Sequence, residues 1–204
     1  MRIDLKKDAL YKPPAGRIVE VDVPPITFLA VDGVGDPNVA PEYSAALETL
    51  YTTGYAIRAA LKARTGDDFV VGPLEGLWWA DDPSVFAERV KSKWRWTMLI
   101  PLPDVVEQAD IDAGLAAASK KKPDLPHDLL RVELLREGRS LQTLHIGPYD
   151  DEGPTLAELH DQMRDGGLTW NGPHHEIYLG DPRKAAPHKL RTILRQPVAT
   201  TAGP

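Results

Sequence analysis

The 204-residue chain contains no cysteine. That excludes a thiol nucleophile, a thiolate-ligated zinc and a disulfide framework, and it suits a reducing compartment. No apolar run is long enough to span a bilayer, and the opening MRIDLKKDALYKPP lacks the hydrophobic stretch of a signal peptide. These absences predict a cytoplasmic protein with no membrane partner. A basic excess is missing too: 30 Asp and Glu against 24 Lys and Arg leave a net charge of −6, which argues against a nucleic-acid partner. The run Lys120 to Lys122 is too short to change that and reads as a solvated helix end.

Several chemical signatures are also lacking. There is no GxSxG nucleophile turn and no HExxH zinc motif. His174 and His175 are neighbours on an expected strand, so they point to opposite faces and cannot share one ion. The glycines of GVGDPN, residues 33–38, lack the third member of a dinucleotide fingerprint and read as a turn. Neither a metal nor a cofactor is expected.

What is present is ordinary globular composition, 42% hydrophobic and 26% charged, in a chain long enough to bury its own core. Residues 1–16 read as an arm ending in Pro13-Pro14, and residues 199–204 as a disordered tail. Between them, apolar alternation marks strands over 17–23 and 26–34, separated by Pro24-Pro25. Tyr43, Ala46, Leu47, Leu50, Gly54, Ile57 and Leu61 recur at helical spacing, which predicts a helix over 41–64 stopped at Gly66. A strand over 69–80 is broken at Gly72-Pro73. A short helix opens at Asp82-Pro83 and runs to about Val90, and a strand follows over 94–100. A second helix falls within 105–122. The second half has strands over 132–135 and 140–146, a helix over 154–164, a strand over 174–180 and a last strand over 190–195.

These elements repeat. A hairpin (17–34), helix (41–64) and strand (94–100), with an insertion at 67–90, are echoed by a hairpin (131–146), helix (154–165) and strand (174–180). Neither unit can cover a sheet face alone. The expected fold is therefore α+β: duplicated β-hairpin–helix–strand modules in one mixed or antiparallel sheet, helices on one face, with a central groove where the halves meet. It makes a single domain over 17–198, with pseudo-repeats at about 17–100 and 131–196.

The chemistry-bearing stretch is PHHEIYLGDPRK, residues 173–184. Strand alternation puts Glu176 and Tyr178 on one face and His175 and Ile177 on the other. An acid in an apolar strand either faces water or, if buried, requires a partner, a cationic ligand or a held proton. Four of the five tryptophans lie between residues 78 and 96, with Trp94 and Trp96 on one strand face and Glu75, Leu77 and Trp79 sharing another. They form either a packed core or an aromatic binding wall. Tyr51 and Tyr55, one helical turn apart, either edge the core or add to such a wall. Glu75 is a second groove acid or a structural one. His145, beside Gly147-Pro148, reads as a capping or packing group and as a contact candidate.

The order of PLEGLWW (73–79), WRWTMLI (94–100), HIGPYDDE (145–152) and HHEIYLGDPRKAAPHKLRTILRQPV (174–198) resembles the GyrI-like, gyrase-inhibitor-like small-molecule-binding proteins, in the branch that stands alone without a DNA-binding domain. The resemblance implies a groove for bulky, aromatic, often cationic compounds, with an acid matching Glu176 meeting the positive charge. The stand-alone branch is linked to hydrolysis of cyclopropanoid, DNA-alkylating natural products, where a Glu and a Tyr assist water addition. Carried onto this chain, the implied roles fall on Glu176, Tyr178 and Tyr149, with Trp79 and Trp96 as ring contacts.

Overall fold

The computed structural model describes residues 1–82 and 90–201; the short helix expected over 82–90 and the last residues of the tail lie outside the described residues. Eleven strands are described: β1 (Arg2–Ile3), β2 (Val19–Val23), β3 (Ile26–Val34), β4 (Asp68–Phe69), β5 (Leu74–Trp79), β6 (Arg95–Leu102), β7 (Leu130–Leu135), β8 (Gly138–Ile146), β9 (Leu168–Trp170), β10 (His174–Tyr178) and β11 (Arg191–Thr200). Three helices accompany them: α1 (Pro41–Thr65), α2 (Gln108–Lys121) and α3 (Gly153–Asp165). The α+β class is as expected.

The chain divides into two compact units, residues 1–5 with 26–135, and residues 6–25 with 136–204. In the first, antiparallel strands run in the order β5-β6-β3-β7. In the second the order is β10-β11-β8-β2, with β9 on the far end of β11. The duplication is therefore real, but its partners differ from the expected ones. Neither β2–β3 nor β7–β8 is a hairpin: β2 pairs with β8, and β7 with β3. Pro24-Pro25 accounts for the first exchange, because a two-residue hairpin needs positive φ that proline cannot adopt. At the second, Glu137 is drawn into a buried ion network in its own unit, described below. The strand orders also shift the repeat: β5 is the counterpart of β10, so residues 74–79 belong to the repeat and not to an insertion, and β6 answers to β11.

In the first unit, α1 starts with Pro41 at its first turn and ends at Gly66, whose φ of 77° lets its N–H close on the Lys62 carbonyl at 2.9 Å. Its buried stripe of Ala46, Leu50, Gly54, Ile57 and Leu61 faces the sheet side that carries Leu29 and Ile100. Helix α2 opens with a reciprocal Glu107–Asp110 capping box, and Arg64 of α1 reaches Asp110 at 2.6 Å and Glu107 at 2.9 Å. In the second unit, α3 lays Leu159 and Met163 on Leu141 and Val198. The N-terminal arm is tied down. β1 pairs with β4 in the first unit, while Tyr11 is buried in the second and Ala15 bridges to Leu144. The tail begins later than expected, since β11 continues to Thr200.

Candidate functional site

In the second unit, β10 carries His174, Glu176 and Tyr178 on the side facing α3. The register Glu176↔Leu194 and Tyr178↔Thr192 on β11, with Thr192↔His145 on β8, fixes that assignment. The Tyr178 hydroxyl donates to Glu176 Oε2 at 2.8 Å, and His174 Nε2 stands 3.8 Å from Glu176 Oε1. Burial holds the His174 imidazole down to about 3, so it is neutral beside the acid. The Glu176 side chain keeps 16% of its surface exposed, a narrow window and not bulk water. Burial pushes its carboxyl up to about 7, against the opposing pulls of the Tyr178 hydrogen bond and of His175.

The loop after β8 supplies the second phenol. Gly147, at φ 146°, turns the chain, and His145 fastens the turn: Nε2 lies 3.2 Å from the Pro148 carbonyl and Nδ1 3.4 Å from Thr155 Oγ1 of α3. His145 thus packs and positions, as its place in the sequence suggested. The Tyr149 ring meets the Tyr178 ring edge-on, with centroids 5.5 Å apart. Burial, then the charges of Glu152, Glu176 and Asp181, raise the Tyr149 hydroxyl to about 12, so it stays a proton donor at neutral pH.

Glu152, absent from the sequence-derived candidates, sits at the N-cap of α3 and is 5% exposed. Its Oε1 is buried and makes no hydrogen bond among the described residues. A helix N-terminus favours an anion. Burial and then the neighbouring Glu176 charge outweigh that and push the carboxyl up to about 9, with Thr192 pulling the other way. Two carboxyls in one unit thus titrate across neutrality as a coupled pair, one of them kept protonated.

The opposite face of the same strands holds a buried ion network that the sequence did not announce. His175 Nδ1 lies 2.9 Å from Glu137 Oε1; Arg195 donates to Glu137 Oε2 at 2.9 Å and to Gln142 Oε1 at 3.0 Å. The Leu10 carbonyl of the arm accepts from Gln142 and Arg195. Burial alone would raise Glu137, but His175 and then Arg195 override it and hold the carboxyl at about 2. His175 is thereby anchored, and with it the strand that presents Glu176.

The remaining candidates belong to the first unit. Trp96 is 0% exposed: its ring covers Gly33, where a side chain would collide with it, and Tyr43 meets it edge-on at 5.1 Å. Trp96 is core, a correction to its expected place as a ring contact. It pairs across strands with Trp78, which packs on Trp94 at 5.9 Å. Trp79 points to the other sheet face, against the cluster of Phe28, Ala30, Leu77 and Leu99. Glu75 shares that face and is fully buried, so it is an interior acid. Tyr51 and Tyr55 stack with centroids 6.4 Å apart, Tyr55 largely in solvent. Among the described residues, no three His, Asp or Glu side chains converge as metal ligands, and no helix is long and apolar enough to cross a membrane.

Acid and phenols gathered on one face, over a sheet that is otherwise packed, make a small-molecule binding domain. The chain belongs to the family of GyrI-like small molecule binding domains, matching it over residues 17–199. It is similar to three solved structures from Listeria innocua. One, an uncharacterized conserved protein, is 39% identical with a TM-score of 0.88, over 97% of this chain and 100% of that one. The other two are hydrolases. One is 37% identical (TM-score 0.81, covering 97% and 100%) and the other 36% identical (TM-score 0.86, covering 98% and 100%). No curated protein matches the sequence.

Proposed function

We infer that the domain takes a bulky aromatic or lipophilic, often cationic, small molecule at Glu176, with Tyr149 and Tyr178 as its aromatic and hydroxyl contacts. The observation that carries this reading is the Glu176 carboxyl itself, nearly enclosed, held by the Tyr178 hydroxyl at 2.8 Å and poised at about 7. An enclosed carboxylate gains most from a cation that brings no water with it, and each phenol face adds about 0.5–2 kcal/mol of cation–π attraction.

The same groups support hydrolysis of a cyclopropanoid. Glu176, as carboxylate, takes a proton from water as the water oxygen bonds to a ring carbon. The strained C–C bond breaks, its electron pair moves to a conjugated carbonyl oxygen, and a phenol donates its proton to that oxygen: Tyr149, or Tyr178 once its hydroxyl turns from Glu176 as that carboxylate takes up the water proton. Glu152, still protonated near pH 7, is the group able to return a proton to the phenolate, and the water proton held on Glu176 then restores the carboxyl pair. The hydrolases among the similar structures favour this reading. Incubation with a cyclopropanoid alkylator followed by mass spectrometry tests it: repeated turnover to a product heavier by one water, lost in Glu176→Ala, is expected. Stoichiometric binding with no such product leaves the second reading, a multidrug-binding protein that protects by sequestration.

A further inference from the structure

β7 ends the strand order of the first unit; it pairs with β3 and, among the described residues, with nothing on its outer side. Such an edge exposes a row of backbone donors and acceptors that can template another strand. Sequences usually blunt it with proline, a bulge or charge of one sign. β7 has none of these. Val132 and Leu134 are 39% and 48% exposed, and Leu129 just before the strand is 55% exposed.

The residues along this edge are ordered to pair with themselves. Read as an antiparallel pair about a two-fold axis at Val132, the segment DLLRVELLR, residues 128–136, is complementary to itself. Leu130 falls opposite Leu134 of the other copy, Val132 opposite Val132, and Arg131 opposite Glu133. The next steps along the sequence match Leu129 with Leu135 and Asp128 with Arg136. Strand alternation gives Leu130, Val132 and Leu134 one face, a continuous apolar ladder across the junction, and gives Arg131 and Glu133 the other. Within one chain Arg131 bonds Glu133 at 2.8 Å and Asp32 of the neighbouring strand β3 at 2.7 Å, yet the Arg131 and Glu133 side chains remain 41% and 38% exposed, which leaves both open to a second copy.

The edge strand of the second unit makes the contrast. β2 reads VEVDV, and the same two-fold pairing would set Glu20 against Asp22, acid on acid. That edge is protected against its own copy, and Pro24-Pro25 closes it. Of the two edges, only β7 has complementary charge, matching apolar side chains and no breaker. We propose that β7 is an isologous interface through which a second copy of this chain adds its own β7 in antiparallel register, centred on Val132.

Sedimentation velocity over a concentration series tests this with a charge exchange. Wild type is expected to be a dimer. Arg131→Glu, which makes the pair acid on acid, and Glu133→Arg, which makes it base on base, should each weaken the dimer by about tenfold or more. Mixing the two variants restores opposite charges at both contacts and should return a heterodimer. Circular dichroism of each variant establishes that it remains folded. A wild type that stays monomeric up to about millimolar concentration overturns the proposal. So does a dimer that both single variants leave intact, or a mixture that remains monomeric.

Discussion

The Tyr178 hydroxyl and the Glu176 carboxyl, two residues apart on one strand face, are joined by a 2.8 Å hydrogen bond. Strand geometry alone brings such a pair to the same side. The bond lowers the carboxyl that burial raises, so Tyr178 sets how much of Glu176 is charged at neutral pH. Tyr178→Phe should therefore shift Glu176 upward. Near pH 7 the variant binds an aromatic cation such as N-methylacridinium several-fold more weakly, and raising the pH restores much of the loss. A deficit that stays constant from pH 6 to 9 would mean that the phenol acts only as a contact.

Glu152 gives the fold a pH dependence of definite sign. Its carboxyl is raised to about 9 in the folded chain from an ordinary value of 4.5. The unfolded chain therefore loses its proton first as pH rises. The contribution is complete below about 4.5 and drains away as pH climbs toward 9. Wild type should lose stability over that window, by on the order of a few kcal/mol, and Glu152→Gln should flatten the loss. Thermal melts between pH 5 and 9 read this directly, at about 2–4 °C per kcal/mol for a chain of this size. Parallel curves for the two proteins would contradict the assignment.

The Glu137 network acts at the other end of the scale. With its folded value depressed to about 2, Glu137 stabilises above about 4.5 and ceases to do so as pH falls toward 2. Glu137→Ala leaves Arg195 buried without its carboxylate partner, which costs about 3–5 kcal/mol. The Tm at pH 7 should fall by roughly ten degrees. A drop of a degree or two would show that the network is solvated.

Trp96 is tested through the residue beneath it. Gly33→Ala drives a methyl into the indole, and overpacking of this kind costs about 1–3 kcal/mol. With Trp96 in the core, the variant melts earlier while its folded fraction keeps wild-type affinity for N-methylacridinium. A large loss of affinity at unchanged Tm would return Trp96 to the ligand contacts.

Much of this molecule could be read from local signals. The α1 stripe, the stop at Gly66 and the shared face of Glu176 and Tyr178 all rest on periodicity that tertiary packing did not disturb. What escaped was non-local. Apolar alternation on either side of Pro24-Pro25 looks like a hairpin until the missing positive φ is taken into account, and nothing local says that β2 will pair with β8 more than a hundred residues away. Glu152 hides in the acidic run DDE, residues 150–152, and only its place just before Gly153-Pro154 sets it at the start of a helix. The tryptophans clustered in sequence, yet alternation sent Trp79 and Trp96 to opposite faces of the sheet.

In the proposed function, the Glu176 carboxylate receives the positive charge of a ligand. The decisive measurement is the affinity for N-methylacridinium across pH 5 to 9, set beside neutral acridine above pH 7, in wild type and Glu176→Gln. Cation affinity should climb as pH rises and level off above about 7. Glu176→Gln should remove the climb and about 10- to 100-fold of the affinity, while acridine binds both proteins alike. Wild-type affinity that is flat across this range, or an equal loss for the cation and for acridine, would contradict it.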